Sequence, residues 1–332
     1  MKAMVLAAGL GTRLRPLTYE LPKPMVPILG QPVMGHDLRL LAAHGFDDVI
    51  ANLHYFPEQI KETFGDGSAH GVRLDYRFER ELLGTAGGVR NVRDHFGDET
   101  FVIVSGDALT DVDLTALWRR HREHGGIATL TLKRVHDTRE YGVVIVDEDG
   151  RIQGFQEKPD PAEALSDLGN CGIYVFEPEI FDYFPDRPFV DWAQDVFPAL
   201  LAQDVAFYGH EIDDYWNDVG SMHEYRQGNF DALAGVVKLH GGDPSPADAH
   251  VDDSAIVEGD VFVGEACRVE AGVRLTGPVI LGDGCRIGEG SAIRESIVWP
   301  GTDLPPGTVL IDAVAGTSPL AEKLAPSLRV RS

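Results

Sequence analysis

The stretch Val5–Pro27, VLAAGLGTRLRPLTYELPKPMVP, decides the fold. It grows out of the apolar run Ala3–Ala8, which suits a central parallel strand, and then breaks into a loop at Gly9 and Gly11. Glycines there let the backbone approach a polyphosphate with its N–H groups pointing inward, and Arg13, Arg15 and Lys23 supply positive charge. The pattern therefore reads as a site for a nucleoside triphosphate. Two familiar loops are excluded. The P-loop spacing is absent, and a dinucleotide fingerprint fails because Leu14 follows the glycines and Pro16 stands where a long helix should begin. A plain strand-to-loop turn with surface arginines would look the same locally, so the rest of the chain has to decide.

At 332 residues the chain is long enough for two domains with sizeable cores. Hydrophobic residues make up 43% and charged residues 25%, a globular composition. The formal net charge of −24 opposes broad binding to nucleic acid or to acidic membranes, so an anionic small substrate needs a local cationic pocket. Lysine is scarce, which makes Lys23 and Lys158, each inside a motif, stand out. The cysteines, Cys171, Cys267 and Cys285, form neither a disulfide framework nor a zinc spacing, and a reducing cytoplasm fits them. MVLAAGL is too brief for a signal peptide and flows straight into the glycine loop; no apolar run reaches membrane-spanning length.

Along the chain, strands and helices alternate as in α/β proteins. Helices are expected at Pro32–His44, Pro57–Phe64, Asp113–His124, Phe189–Leu201 and Met222–Leu233; strands at Asp48–Leu53, Val72–Phe78, Phe101–Asp107, Ile127–Val135 and Val205–Ile212. LGTAGG, Leu83–Gly88, places small residues at a helix start, where backbone could lie against a flat base or where Thr85 could simply cap the helix. FVIVSGD ends in Asp107 at the carboxyl edge of a strand, where open α/β sheets bind ligands. A hairpin turning at Asp147–Gly150 interrupts the alternation and leads to Glu157-Lys158-Pro159. Asp218, in DYWNDVG, sits on a tight turn, a position that a capping residue would also fill.

From Val251 the chain repeats every six residues: Val251, Val257, Val263, Val269, Leu275, Leu281, Ile287, Ile293 and Trp299 open successive hexads. This is the hexapeptide pattern of a parallel β-helix, about three coils if each takes three hexads. Cys267 and Cys285, eighteen apart, should stack as reduced interior packing. So short a stack favours self-association or packing on the first domain, and Leu320–Leu328 has the character of a capping helix.

The motifs LAAGLGTRLRPLT, PKPMVPI, LGTAGG, SGD, FQEKP, NCGIY and DVGSMHEY, in this order, resemble the nucleotide-sugar pyrophosphorylases, the sugar-1-phosphate nucleotidyltransferases. The resemblance covers nearly the whole chain. It implies a Rossmann-like open mixed sheet over residues 1–238, a linker at 239–250, a short left-handed β-helix over 251–316 and a tail at 317–332. It also implies that a sugar 1-phosphate attacks the α-phosphorus of an NTP, releasing pyrophosphate without a covalent enzyme intermediate. Chemistry of that kind needs positioning and charge neutralisation, and no serine elbow, Cys/His pair or HExxH motif suggests otherwise.

Carried over by resemblance, Arg13 and Lys23 contact the triphosphate, and Asp107 and Asp218 hold Mg²⁺. Ala8, Gly9, Gly11, Thr12, Glu79, Gly84 and Thr85 enclose the nucleotide. Glu157 takes sugar hydroxyls and Lys158 the sugar phosphate, with Gly142 and Asn170 lining the pocket. A carboxylate at Glu79 suits the adjacent N1–H and amino donors of guanine, and the sequence is similar to the mannose-1-phosphate guanylyltransferase branch. The LAAG opening departs from the LxGG form common in guanylyltransferases and thymidylyltransferases, uridylyl or thymidylyl transfer to glucose 1-phosphate is the runner-up, and Glu81 competes for the base-reading role. Two further readings are a catalytically dead nucleotide-sugar sensor, opposed by retention of the charged motif residues, and an acyltransferase tail, opposed by the absence of histidine from Val251 to Ile311. The expected partners are therefore an NTP, a sugar 1-phosphate and a second copy of the chain through the β-helix, with no nucleic acid and no membrane.

Overall fold

The computed structural model describes residues 1–241 and 248–316. It divides into two compact units, one of Met1–Gly9 with Asp37–Asp218, the other of Leu10–His36 with Val219 onward. In chain order the elements up to the repeat are β1 (Lys2–Leu6), β2 (Pro27–Ile28), β3 (Gln31–Pro32), α1 (Val33–Ala43), β4 (Asp48–Leu53), α2 (Pro57–Phe64) and β5 (Arg73–Phe78). Next come α3 (Gly84–Arg90), α4 (Arg93–Phe96), β6 (Phe101–Ser105), β7 (Leu109–Thr110), α5 (Leu114–His124), β8 (Ala128–Arg134), β9 (Gly142–Val146) and β10 (Ile152–Glu157). β11 (Leu168–Phe176), α6 (Phe197–Ala202), β12 (Tyr208–Glu211), β13 (Trp216–Asn217) and α7 (Met222–Leu233) complete this part.

The first unit is built on a nine-stranded mixed sheet whose main path runs β10-β9-β11-β6-β1-β4-β5, with β8 on β11 and β12 on β8. Ala3, Met4 and Val5 are fully buried, as a strand with parallel neighbours on both sides requires. β11 runs antiparallel to β6, and β9 and β10 form the expected hairpin closed by the Gly150 N–H on the Asp147 carbonyl. Helix ends follow ordinary capping chemistry: the Asp113 carboxylate accepts from the Ala116 N–H at the start of α5, and Gly125 ends it in the left-handed region.

One expected helix is shorter. Phe189–Leu201 is not continuous: Asp191 caps a wide turn at Trp192–Val196, and regular helix runs only over Phe197–Ala202. Residues 189–190 cannot join because the Val190 N–H bonds to the Leu83 carbonyl, while its own carbonyl accepts from Ala86 and Gly87.

The second unit contains the left-handed parallel β-helix. Its strands stack with partners eighteen residues apart, His250 on Arg268 and Arg268 on Arg286. In the last coil the step drops to seventeen, Arg286 on Asp303 and Ala292 on Val309. The slip falls where the strand Arg274–Leu281 meets the strand Ala292–Val298, because the corner after Arg294 is one residue shorter than the Gly277-Pro278 corner below it. Val298 therefore takes the interior place above Leu281. Trp299, expected to open the ninth hexad, stands half-buried outside that core and donates its indole N–H to the Tyr225 hydroxyl at 2.8 Å. Cys267 and Cys285 are buried, unbridged and part of the core. The expected helix at 320–328 lies outside the described residues.

α7 opens on Ser221, whose hydroxyl accepts from the Glu224 N–H, and its Asn229 accepts from the Leu29 N–H. Among the described residues no helix is long and apolar enough to cross a membrane.

Candidate active site

A cavity of about 230 Å³ opens at the carboxyl edge of the first unit's sheet, lined by Ala8, Gly9, Asn52, Glu79, Gly84, Thr85, Ser105, Asp107 and Phe189 among others. Parallel strands all deliver their carboxyl ends to one edge, so residues distant in sequence meet there. Gly106 is the residue that lets β6 turn at this edge, since a Cβ on it would stand 2.4 Å from Val5 Cγ1. Gly84 is held at φ 79°, and a Cβ would meet the Val190 carbonyl oxygen at 2.4 Å, so only glycine fits.

The back wall is a polar chain of which the sequence pointed to Glu79 but not to Asn52. Asn52, 3% exposed at the end of β4, accepts from the Ala7 N–H at 2.9 Å and donates to Glu79 Oε1 at 2.7 Å. Glu79, itself 2% exposed, also accepts from the Leu83 N–H through Oε2 at 3.2 Å. A polar residue interrupting the apolar strand DVIANL was the available signal for Asn52. Thr85 does not cap α3; its hydroxyl donates to Asp191 at 2.9 Å and accepts from the Trp192 N–H.

Asp107 and Asp218, 111 residues apart, are drawn to one end of a short ribbon: β13 pairs antiparallel with β7, Asn217 against Leu109. Val219, directly after Asp218, is a β-branched residue at φ 43°, so this turn is strained. Beneath Asp107 lies Asp37, 1% exposed, with Oδ2 buried and unpartnered. Burial first, and then the charge of Asp107, push its carboxyl well above the usual carboxylate range. A buried, unpartnered carboxyl oxygen beside a second carboxylate is a donor set of the chemistry that suits a hard divalent cation.

The sugar-side residues form a second group at the same sheet edge. Gly142 and Glu157 are cross-strand partners, and Val143 pairs with Gly169, which sets Asn170 beside them. Asn170 is fixed by its bonds to the Tyr174 hydroxyl and the Gly172 N–H. Lys158 is exposed and left-handed at φ 46°, its N–H on the Tyr141 carbonyl. Burial pushes the Cys171 thiol up, which keeps it protonated.

Gly11, Thr12, Arg13 and Lys23 belong to the second unit. There Gly11, at φ 61°, receives the Thr18 hydroxyl on its carbonyl and packs so tightly on Lys23 that a Cβ would approach the lysine Cβ to 2.9 Å. Lys23 is 8% exposed and Arg13 is exposed.

The mixed sheet, the pocket at its carboxyl edge and the hexapeptide helix define a nucleotidyl-transferring α/β domain joined to a parallel β-helix. A family profile described as nucleotidyl transferase matches residues 2–235, and a bacterial transferase hexapeptide profile matches residues 247–295. The chain belongs to the nucleotidyl transferase family, within the nucleotide-sugar pyrophosphorylases. It is 39% identical to a UTP–glucose-1-phosphate uridylyltransferase of Synechocystis sp. over 94% of this chain and 86% of that protein. It is 38% identical to a mannose-1-phosphate guanylyltransferase of Mycobacterium tuberculosis over 83% of this chain and 78% of that protein. Among solved structures, HddC from Yersinia pseudotuberculosis shares the fold with a TM-score of 0.61 at 24% identity, covering 69% of this chain and 97% of that one. The activity is that of a sugar-1-phosphate nucleotidyltransferase, which joins an NTP and a sugar 1-phosphate.

Proposed function

We propose that this chain makes GDP-mannose from GTP and mannose 1-phosphate, using Mg²⁺. The observation that supports guanine is Glu79: a carboxylate lining the pocket beside Gly84 whose oxygens, each already taking one bond from the Asn52 amide or the Leu83 N–H, keep a second lone pair for the two adjacent donors of guanine. Relatives named as mannose-1-phosphate guanylyltransferases, the mycobacterial protein among them, agree with this choice. In this reading the backbone of Ala8, Gly9, Gly11 and Thr12 holds the nucleotide with Gly84 and Thr85. Arg13 and Lys23 neutralise the triphosphate, and Asp107 and Asp218 bind the cation. Lys158 takes the sugar phosphate, and Glu157, Asn170 and Gly142 orient the sugar. Bound Mg²⁺ would spread the charge developing on the phosphates. The protein's own contribution is alignment of the sugar phosphate oxygen with the α-phosphorus and fixed positive charge at the leaving pyrophosphate.

The uridylyltransferase of Synechocystis, similar over 94% of the chain, supports a second reading, UTP with glucose 1-phosphate. A matrix of five NTPs against glucose, mannose and N-acetylglucosamine 1-phosphates, read as pyrophosphate release, separates them. Preference for GTP with mannose 1-phosphate is expected, and preference for UTP with glucose 1-phosphate would replace the first reading. Self-association through the β-helix belongs to the same proposal, supported by exposed Val251, Ile256 and Val257 on its first coil. Light scattering on the eluting protein tests it, with a monomer mass as the contrary result.

A further inference from the structure

The sheet edge opposite the nucleotide pocket carries a second cluster of ligating groups. Asp48 opens β4, Asp75 lies on the edge strand β5, and His95 comes from α4. Asp48 precedes Asn52 by four residues of extended strand, about 13 Å, so this cluster is separate from the catalytic carboxylates. One donor atom from each of the three side chains lies within 4.8 Å of the others. The His95 side chain is only 8% exposed, and its Nε2 stands 3.6 Å from Asp48 Oδ1, buried and without a hydrogen-bond partner. An imidazole nitrogen removed from water and aimed at two carboxylates without bonding either has the arrangement of a ligand lacking its ion.

Arg73 explains how the acids stay together without one. Its guanidinium bonds to Asp48 and, at 2.9 Å, to Asp75, while its side chain remains 63% exposed. The arginine thus covers the cluster from the solvent side and is free to swing away. The neighbouring cations are otherwise engaged: Lys2 donates to the His95 carbonyl and pairs with Glu99, and Arg77 pairs with Asp94.

We propose that Asp48, Asp75 and His95 form a site for a divalent transition-metal ion of the zinc type, with Arg73 as the placeholder that the ion displaces. Two carboxylates and one neutral imidazole supply three ligands, and water completes a tetrahedral set. Bonds of about 2.0–2.1 Å put donors of such a set roughly 3.3 Å apart, within reach of small side-chain rotations from the observed spacing. Mg²⁺ prefers oxygen ligands in octahedral array, so the imidazole selects against the catalytic cation. The bound ion would tie the edge strand β5 to β4 and α4.

The test uses tag-free, chelator-treated full-length protein in excess Mg²⁺, titrated with Co²⁺ and followed by its visible ligand-field bands. One equivalent should bind, Zn²⁺ should displace it, and Tm should rise. His95→Gln and Asp75→Asn should each weaken binding by about tenfold or more, and Arg73→Ala should strengthen it. Asp75 is exposed, so its variant reports on binding even if His95→Gln fails to fold. Absence of a saturable one-equivalent spectrum, or a titration unchanged in Asp75→Asn, would overturn the site.

Discussion

Glu79 shows how closely recognition and stability are joined in single residues here. Its two oxygens receive the Asn52 amide and the Leu83 N–H, so an amide in its place must turn a donor toward one of them. Glu79→Gln should therefore cost about 1–3 kcal/mol in denaturant unfolding. If the base reading holds, it should also lower kcat/KM for GTP more than for UTP; an unchanged ratio would remove Glu79 from base selection. His121 offers a pH test. Buried between Thr129 and Glu177, its imidazole is held below its ordinary value chiefly by burial, with Glu177 opposing the shift. The unfolded chain takes up this proton near pH 6.5 and the folded chain only at lower pH. The stability from neutral His121 is thus complete above about pH 6.5 and is lost as pH falls through the folded-state value. Replacing it by Gln should flatten the fall in Tm between about pH 7 and pH 5, and an unaltered acid limb would assign that fall to other groups.

At the scale of elements, α3 depends on a residue that its own sequence does not contain. Gly84→Ala would force a side chain into φ 79° and against the Val190 carbonyl, which should cost about 1–3 kcal/mol and weaken nucleotide binding measured by calorimetry. In the β-helix, Trp299→Phe removes the bond to the fully buried Tyr225 hydroxyl, and a loss of about 1–3 kcal/mol is expected in urea unfolding. These two places also mark where the sequence stopped being readable. β1 and the hexads were legible because burial imposes a local period, and Asp107 because a carboxylate ended an apolar strand. The extended backbone at Val190 was hidden because its partner, Leu83, lies far back in the chain. The seventeen-residue coil was hidden because Trp299 is as apolar as the opener it replaces, so a one-residue slip left the pattern intact. Asn52 and Asp37 escaped because their significance is burial beside another polar group, which spacing does not encode.

For the molecule as a whole, a net charge of −24 places a standing repulsion on the folded state. Raising NaCl from about 20 to about 200 mM should raise Tm by a few degrees through screening, whereas a flat response would mean that the surface ion pairs already balance that repulsion. The tie between α3 and Val190 reaches furthest at this scale. Residues 79–88 and 188–192 are bonded through Leu83, Ala86, Gly87 and Thr85. A segment 79–88 grafted in without 188–192 would have to keep a glycine at 84 against the Val190 carbonyl and a hydroxyl at 85 for Asp191 and Trp192, or lose that tie. The structural unit is discontinuous, two short passages that have to be moved as a pair.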